Sequence, residues 1–220
     1  MGRIFQLDSP LIRFLTRAAD LIILNVLFLI FSLPVFTLGA SLTAMYRVCL
    51  NFYEDKGSSV ARMFWEAFRE NFKKATLVFL ILLPPTALAV YETAVALSGA
   101  LGTPWLLAAF VLPLILVVFV QSYVYPLSAQ FENSIWRTIK NALLLSVGNL
   151  PRSILIGALN LLPFVLFLLL PVQFLQSSIV WIFAGFSLTA YLNTWFFRRI
   201  FKKVIQLTAA ANGDSEEASE

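Results

Sequence analysis

Asp20 and Arg47 are ionisable residues set within long apolar stretches, where a bare charge is costly and calls for a reason. Asp20 lies 13 residues before Leu33, and Arg47 lies 13 residues after Pro34. If the chain doubles back at this point, both charges reach the same depth, roughly 20 Å from the turn at the helical rise. They are expected to pair. A structural ion pair would fix the register of two helices, and a substrate or proton site is the functional alternative. Glu92 is the only acid toward the outer half of its run and reads as a carboxylate reaching water at headgroup level.

Neutral polar groups are the other chemistry available. Asn25, Gln121, Asn141, Asn149, Asn160 and Asn193 occur in apolar surroundings. Gln121, Asn160 and Asn193 are the candidates for lining a polar cavity, and mutual bonding between membrane helices is the structural alternative. The chain has no His and one Cys, Cys49, which excludes histidine-based metal sites, histidine bases and an internal disulfide. It contains no phosphate-binding loop, zinc-protease or serine-hydrolase motif. The reading is therefore non-enzymatic, with no catalytic, metal or cofactor residue to name. Lys and Arg are interleaved with Glu along residues 56–74, so no nucleic-acid partner is expected, whereas the lipid bilayer is.

The elements that hold these residues follow from composition. The 220 residues are 60% hydrophobic and 13% charged, with a mean hydropathy of +0.84. Ordinary soluble domains are about 45 to 50% apolar. Spanning the hydrocarbon core takes about 20 apolar residues, and runs of that kind lie at 11–33, 35–53, 75–97, 105–125, 150–170 and 174–197. The first run is read as a retained span and not a leader, because Asp8 precedes it and Asp20 interrupts it.

Basic residues orient the spans, since Lys and Arg stay on the cytoplasmic side. Residues 98–104 and 171–178 contain neither. Arg3, Arg13 and Arg17, the five basic residues of 56–74, Arg137 with Lys140, and Arg198, Arg199, Lys202 and Lys203 all fall on one side if six helices cross. The expected fold is an all-α integral membrane protein, a six-helix transmembrane bundle with both termini inside. Pro34 marks the turn between the first two helices. A shift of 78 residues lays Asn71 to Pro85 on Asn149 to Pro163, which would make helices 2–3 and 4–5 a parallel repeat.

An amphipathic cytoplasmic helix is expected to start at Ser58 or Ser59. Val60, Phe64, Phe68 and Phe72 recur every fourth residue, with Arg62, Glu66, Arg69, Glu70, Lys73 and Lys74 on the other faces. Phe64, Phe68, Arg69, Phe72, Lys73 and Lys74 make it a candidate partner-docking helix. Its rival role is to lie on the inner leaflet. The membrane domain is read as 1–206, and 207–220 as a disordered acidic tail. Without the tail's four acids the net charge rises from +4 to +8, which suits anionic inner-leaflet lipid.

Residues 31–46, FSLPVFTLGASLTAMY, and 64–76, FWEAFRENFKKAT, resemble the bacterial YesL-like family of membrane proteins, a domain of unknown function. The likeness covers most of residues 8–205. It implies a bacterial inner-membrane protein encoded among genes for oligosaccharide uptake and breakdown, often beside sugar importers of the ATP-binding-cassette type. Importer membrane subunits are thus the implied partners. The resemblance transfers no catalytic or binding residue. The stand-alone alternative is a small-solute or lipid transporter with a cavity between repeated hairpins.

Overall fold

The computed structural model describes residues 10–54, 59–99 and 104–217. Arg3, Lys56, Ser58 and residues 218–220 lie outside them. Among the described residues every regular element is helical: α1 (Pro10–Ser32), a 3-10 turn (Val35–Thr37), α2 (Leu38–Tyr53), α3 (Val60–Leu97), α4 (Pro104–Gln130), α5 (Ile135–Gly148), α6 (Leu150–Leu169), α7 (Pro171–Val180), a π segment (Trp181–Gly185) and α8 (Phe186–Glu217).

Among the described residues five helical stretches are long and apolar enough to cross a membrane: Leu11–Ser32, Val60–Leu97, Ala108–Gln130, Leu150–Leu169 and Pro171–Ala209. Their outward faces carry exposed Leu77, Leu80 and Ile81 on α3, Leu112, Ile115 and Leu116 on α4, and Ile154, Phe164 and Leu168 on α6. Apolar exposure on this scale fits lipid as the solvent. The fold is that of an all-helical, multi-pass membrane protein.

The run expected as a sixth span, 35–53, does not qualify by length. Its helix α2 has 16 residues, about 24 Å at the helical rise, because the 3-10 turn takes the first residues after Pro34. Thr37 holds that turn by donating its hydroxyl to the carbonyls of Phe31, at 2.5 Å, and Pro34, at 2.6 Å. Eleven of the 16 residues of α2 are buried, so this helix meets protein on most sides and has little need of the uniform hydrophobicity that lipid demands. Small residues allow the approach. Gly39 sits directly against the Ala75 carbonyl and the Phe79 side chain of α3.

The helix expected below the membrane is continuous with the span expected over 75–97. Helix α3 runs for 38 residues, about 57 Å, and passes through Pro84 and Pro85 unbroken. Ser59 occupies its N-cap position without a side-chain capping bond. A membrane helix tolerates proline when nearby side chains satisfy the backbone, and Thr86 donates to the Leu82 carbonyl at 2.5 Å beside the pair. The stretch that the 78-residue shift would pair with it is broken at Asn149, which separates α5 from α6. Helix α8 extends to Glu217, so residues 207–217, read from composition as a disordered tail, continue a helix through the good helix formers Ala209, Ala210 and Ala211.

An aromatic column ties the inner helices together. Phe197 of α8 meets Tyr46 of α2 edge-on at 5.9 Å and Tyr123 of α4 at 5.0 Å, and Phe201 continues the contact to Phe131. Edge-to-face pairs of this kind add to the burial they accompany.

Candidate functional site

The amides of α6 and α8 meet between four helices. Asn193 donates to the Asn160 carbonyl oxygen at 2.8 Å, and Asn160 donates to the Ser122 hydroxyl at 3.0 Å. The Asn193 amide also lies 3.4 Å from the Tyr46 hydroxyl. One network therefore joins α2, α4, α6 and α8. Ser122 donates its own hydroxyl to the Val118 carbonyl at 2.8 Å. Gln121, on the next face of α4, donates to Thr86 of α3 at 2.6 Å.

A cavity of about 270 Å³ opens beside this network, walled by Tyr46, Gln121, Ser122 and Asn160 against apolar Phe28 and Phe186. The expected convergence of Gln121 and Asn160 on one cavity is present. Asn193 stands behind the wall, fully buried, and its carbonyl oxygen has no hydrogen-bond partner among the described residues. The volume is just below the usual range of small-molecule sites, roughly 300 to 1,000 Å³. Its polar groups are neutral hydrogen-bonding side chains, suited to holding a small neutral polar group. Among the described residues no three of Cys, Asp and Glu assemble as a metal would require.

The expected Asp20–Arg47 pair does not form. Asp20 faces Arg17, one turn back on α1, at 4.0 Å, while Arg47 donates to the Ala129 carbonyl of α4 at 2.6 Å. Equal distance from the turn puts two residues at comparable depth, but their direction around each helix axis decides contact, and Arg47 faces α3 and α4. There it borders a polar cavity of about 590 Å³ with Glu70, Lys74, Ser128 and Glu132. The link from α1 to the end of α2 is instead Arg17, which donates to the Phe52 carbonyl at 3.3 Å and lies 4.3 Å over the Phe52 ring.

The docking stripe is also corrected. Phe64 and Phe68 are buried, and Phe31 of α1 packs on both at ring separations of 5.5 and 5.0 Å. Phe72 and Lys74 are half-buried. The bundle has used this apolar face itself, since an apolar stripe finds its nearest partner in its own chain. What α3 leaves open is the charged face, with Arg69 and Lys73 exposed beside Trp65, Arg62, Glu66 and Glu70.

Asn25 has a role that its amide alone did not reveal. Fully buried, it donates to the carbonyls of Trp181 at 3.1 Å and Ile182 at 2.7 Å, and accepts from the Ser187 amide at 2.9 Å. Ser187 in turn donates to the Leu21 carbonyl at 2.7 Å. The π segment frees backbone groups that an α-helix would pair internally, and α1 supplies the partners. An amide in the middle of an apolar run is the sequence signal, but the π segment that gives it a purpose has none.

Residues 21–93 match the model of a family described as a protein of unknown function, DUF624, over about a third of the chain. No curated protein and no solved structure matches. The matched stretch, from the middle of α1 through most of α3, contains both segments that resemble the YesL-like family.

Proposed function

We propose that the chain is a non-enzymatic bacterial inner-membrane protein with six crossings and both ends in the cytosol, serving as an accessory subunit for oligosaccharide uptake by an ATP-binding-cassette importer. The observation that carries the partner role is the open face of α3. Arg62 and Glu66 pair at 2.8 Å, Arg69, Glu70 and Lys73 follow, and Trp65 is 46% exposed. A helix of 38 residues exceeds the hydrocarbon thickness of about 30 Å by roughly 27 Å, so part of it stands in water. Mixed charge suits a protein surface better than anionic lipid, which would repel Glu66 and Glu70.

For the sixth crossing, the 3-10 turn adds about 6 Å to the 24 Å of α2, together close to the core thickness. Orientation rests on the basic residues, as above. The parallel repeat is supported by Asn71 and Asn149, which each donate to the carbonyl four residues back at 3.0 Å. The importer association comes from the family resemblance. Purification in mild detergent from cells grown on plant polysaccharide should recover importer membrane subunits with this chain. An Arg69→Glu, Lys73→Glu variant should lose them while staying monodisperse. Repeated recovery of the unaltered chain by itself would contradict the role.

The cavity favours a second reading, a stand-alone carrier for a small neutral polar solute. It predicts solute flux in reconstituted vesicles that falls when Asn160→Leu removes the amide from the cavity wall. Flux equal to that of protein-free vesicles would exclude it.

A further inference from the structure

A cavity of about 670 Å³ lies where the end of α2 meets α8, bordered by Arg198, Arg199 and Lys202 together with Glu54, Gln130 and Gln206. Among the described residues three cations face one carboxylate there, so at least two positive charges remain whatever Glu54 neutralises. The guanidinium groups are held in place by aromatic rings, Arg198 at 4.6 Å over Tyr53 and Arg199 at 3.9 Å over Trp195. A cation over a ring is positioned without losing its charge. Its preference for a planar, oxygen-rich anion such as phosphate is intact.

The surroundings indicate where that anion comes from. Leu188, Leu192 and Trp195 are 42%, 44% and 42% exposed and recur at helical spacing on the face of α8 that ends at Arg199. An open apolar stripe thus leads straight to a cluster of cations. A free phosphate has no use for the stripe, whereas a phospholipid needs both parts, apolar wall for the chain and cations for the head. We propose that this cavity binds one anionic phospholipid, its phosphate between Arg198, Arg199 and Lys202 and an acyl chain along Trp195, Leu192 and Leu188. Assignment to the inner leaflet rests on the topology proposed above, but the binding itself does not.

Native mass spectrometry of the full chain in mild detergent tests the site without reference to leaflet. Phosphatidylglycerol should be retained in preference to phosphatidylcholine with the same chains. An Arg198→Gln, Arg199→Gln variant should hold it roughly 30-fold more weakly, from two cations each contributing at the membrane surface. An Arg137→Gln, Lys140→Gln variant, with the same net charge, should bind as the unaltered chain does. Equal retention of phosphatidylcholine, or equal loss in the second variant, would overturn the proposal. Soluble glycerophosphate should fail to displace the lipid; displacement at submillimolar concentration would make this a site for free phosphate and overturn the lipid assignment. With the unaltered chain, photoreactive phosphatidylglycerol should crosslink within residues 188–206, and a crosslinking pattern identical to that of a neutral analogue would count against it.

Discussion

Buried amides carry the specificity of this bundle, because a hydrogen-bonding group away from water costs most when its partner is removed. Asn25 is the clearest case, with three bonds that join α1 to the π segment and α8. Asn25→Leu keeps the volume but leaves two carbonyls and an amide to find new partners, and is expected to destabilise the protein by about 2 to 3 kcal/mol, read as a lower thermal midpoint in detergent. Glu92 gives the contrast. It is half-buried near the end of α3, and Glu92→Gln should change stability by less than about 0.5 kcal/mol. A marked loss there would mean that the carboxylate has a partner its surroundings do not suggest. The Asp20 and Arg47 charges were legible as residues that need an explanation, but not as separate ones. Distance along the chain fixes depth, and only packing fixes which way a side chain turns.

Among the elements, α2 departs most from its expected form. A helix that faces protein can be short and rich in Gly, Ala, Ser and Thr, so hydropathy is a poor measure of it, whereas the lipid-facing helices α4 and α6 were plain from their runs of Leu, Val and Phe. The aromatic stripe of α3 was legible as an apolar face but was assigned to a partner or the leaflet; that Phe31 of the same chain covers it depends on a contact between residues 33 or more apart, beyond local pattern. Two glycines test the packing. At Gly39 a new Cβ would strike the backbone carbonyl of Ala75, which cannot move by itself, while at Gly157 it would meet Phe119 at an ordinary 3.4 Å. Gly39→Ala should therefore cost about 1 to 3 kcal/mol. Gly157→Ala should be neutral or add up to about 1 kcal/mol through helix propensity. Both are read by thermal unfolding in the same detergent, and the reverse order would contradict the close approach of α2 and α3.

At the scale of the whole molecule, charge and hydrophobicity act in different directions. Apolar runs say which segments can enter the bilayer, and the asymmetric Lys and Arg say which ends stay behind. The membrane character was readable from the sequence because it is a property of composition. The cavity between α2, α4, α6 and α8 was only foreshadowed by its amides, since Ser122 and Tyr46 complete the network with hydroxyls that no local pattern singles out. The proposed partner surface and lipid site both sit at the basic end of the bundle, so both inherit the assignment of that end to the cytosol. Membrane-impermeant thiol labelling of intact spheroplasts tests the assignment most directly, with Cys49, which is buried, replaced by Ser and single cysteines placed at Ser98, Lys140 or Lys203. Six crossings with both ends inside predict labelling at Ser98 from the external side, and labelling at Lys140 and Lys203 only after permeabilisation. Reagent reaching Lys203 in intact spheroplasts, or failing to reach Ser98, would contradict it.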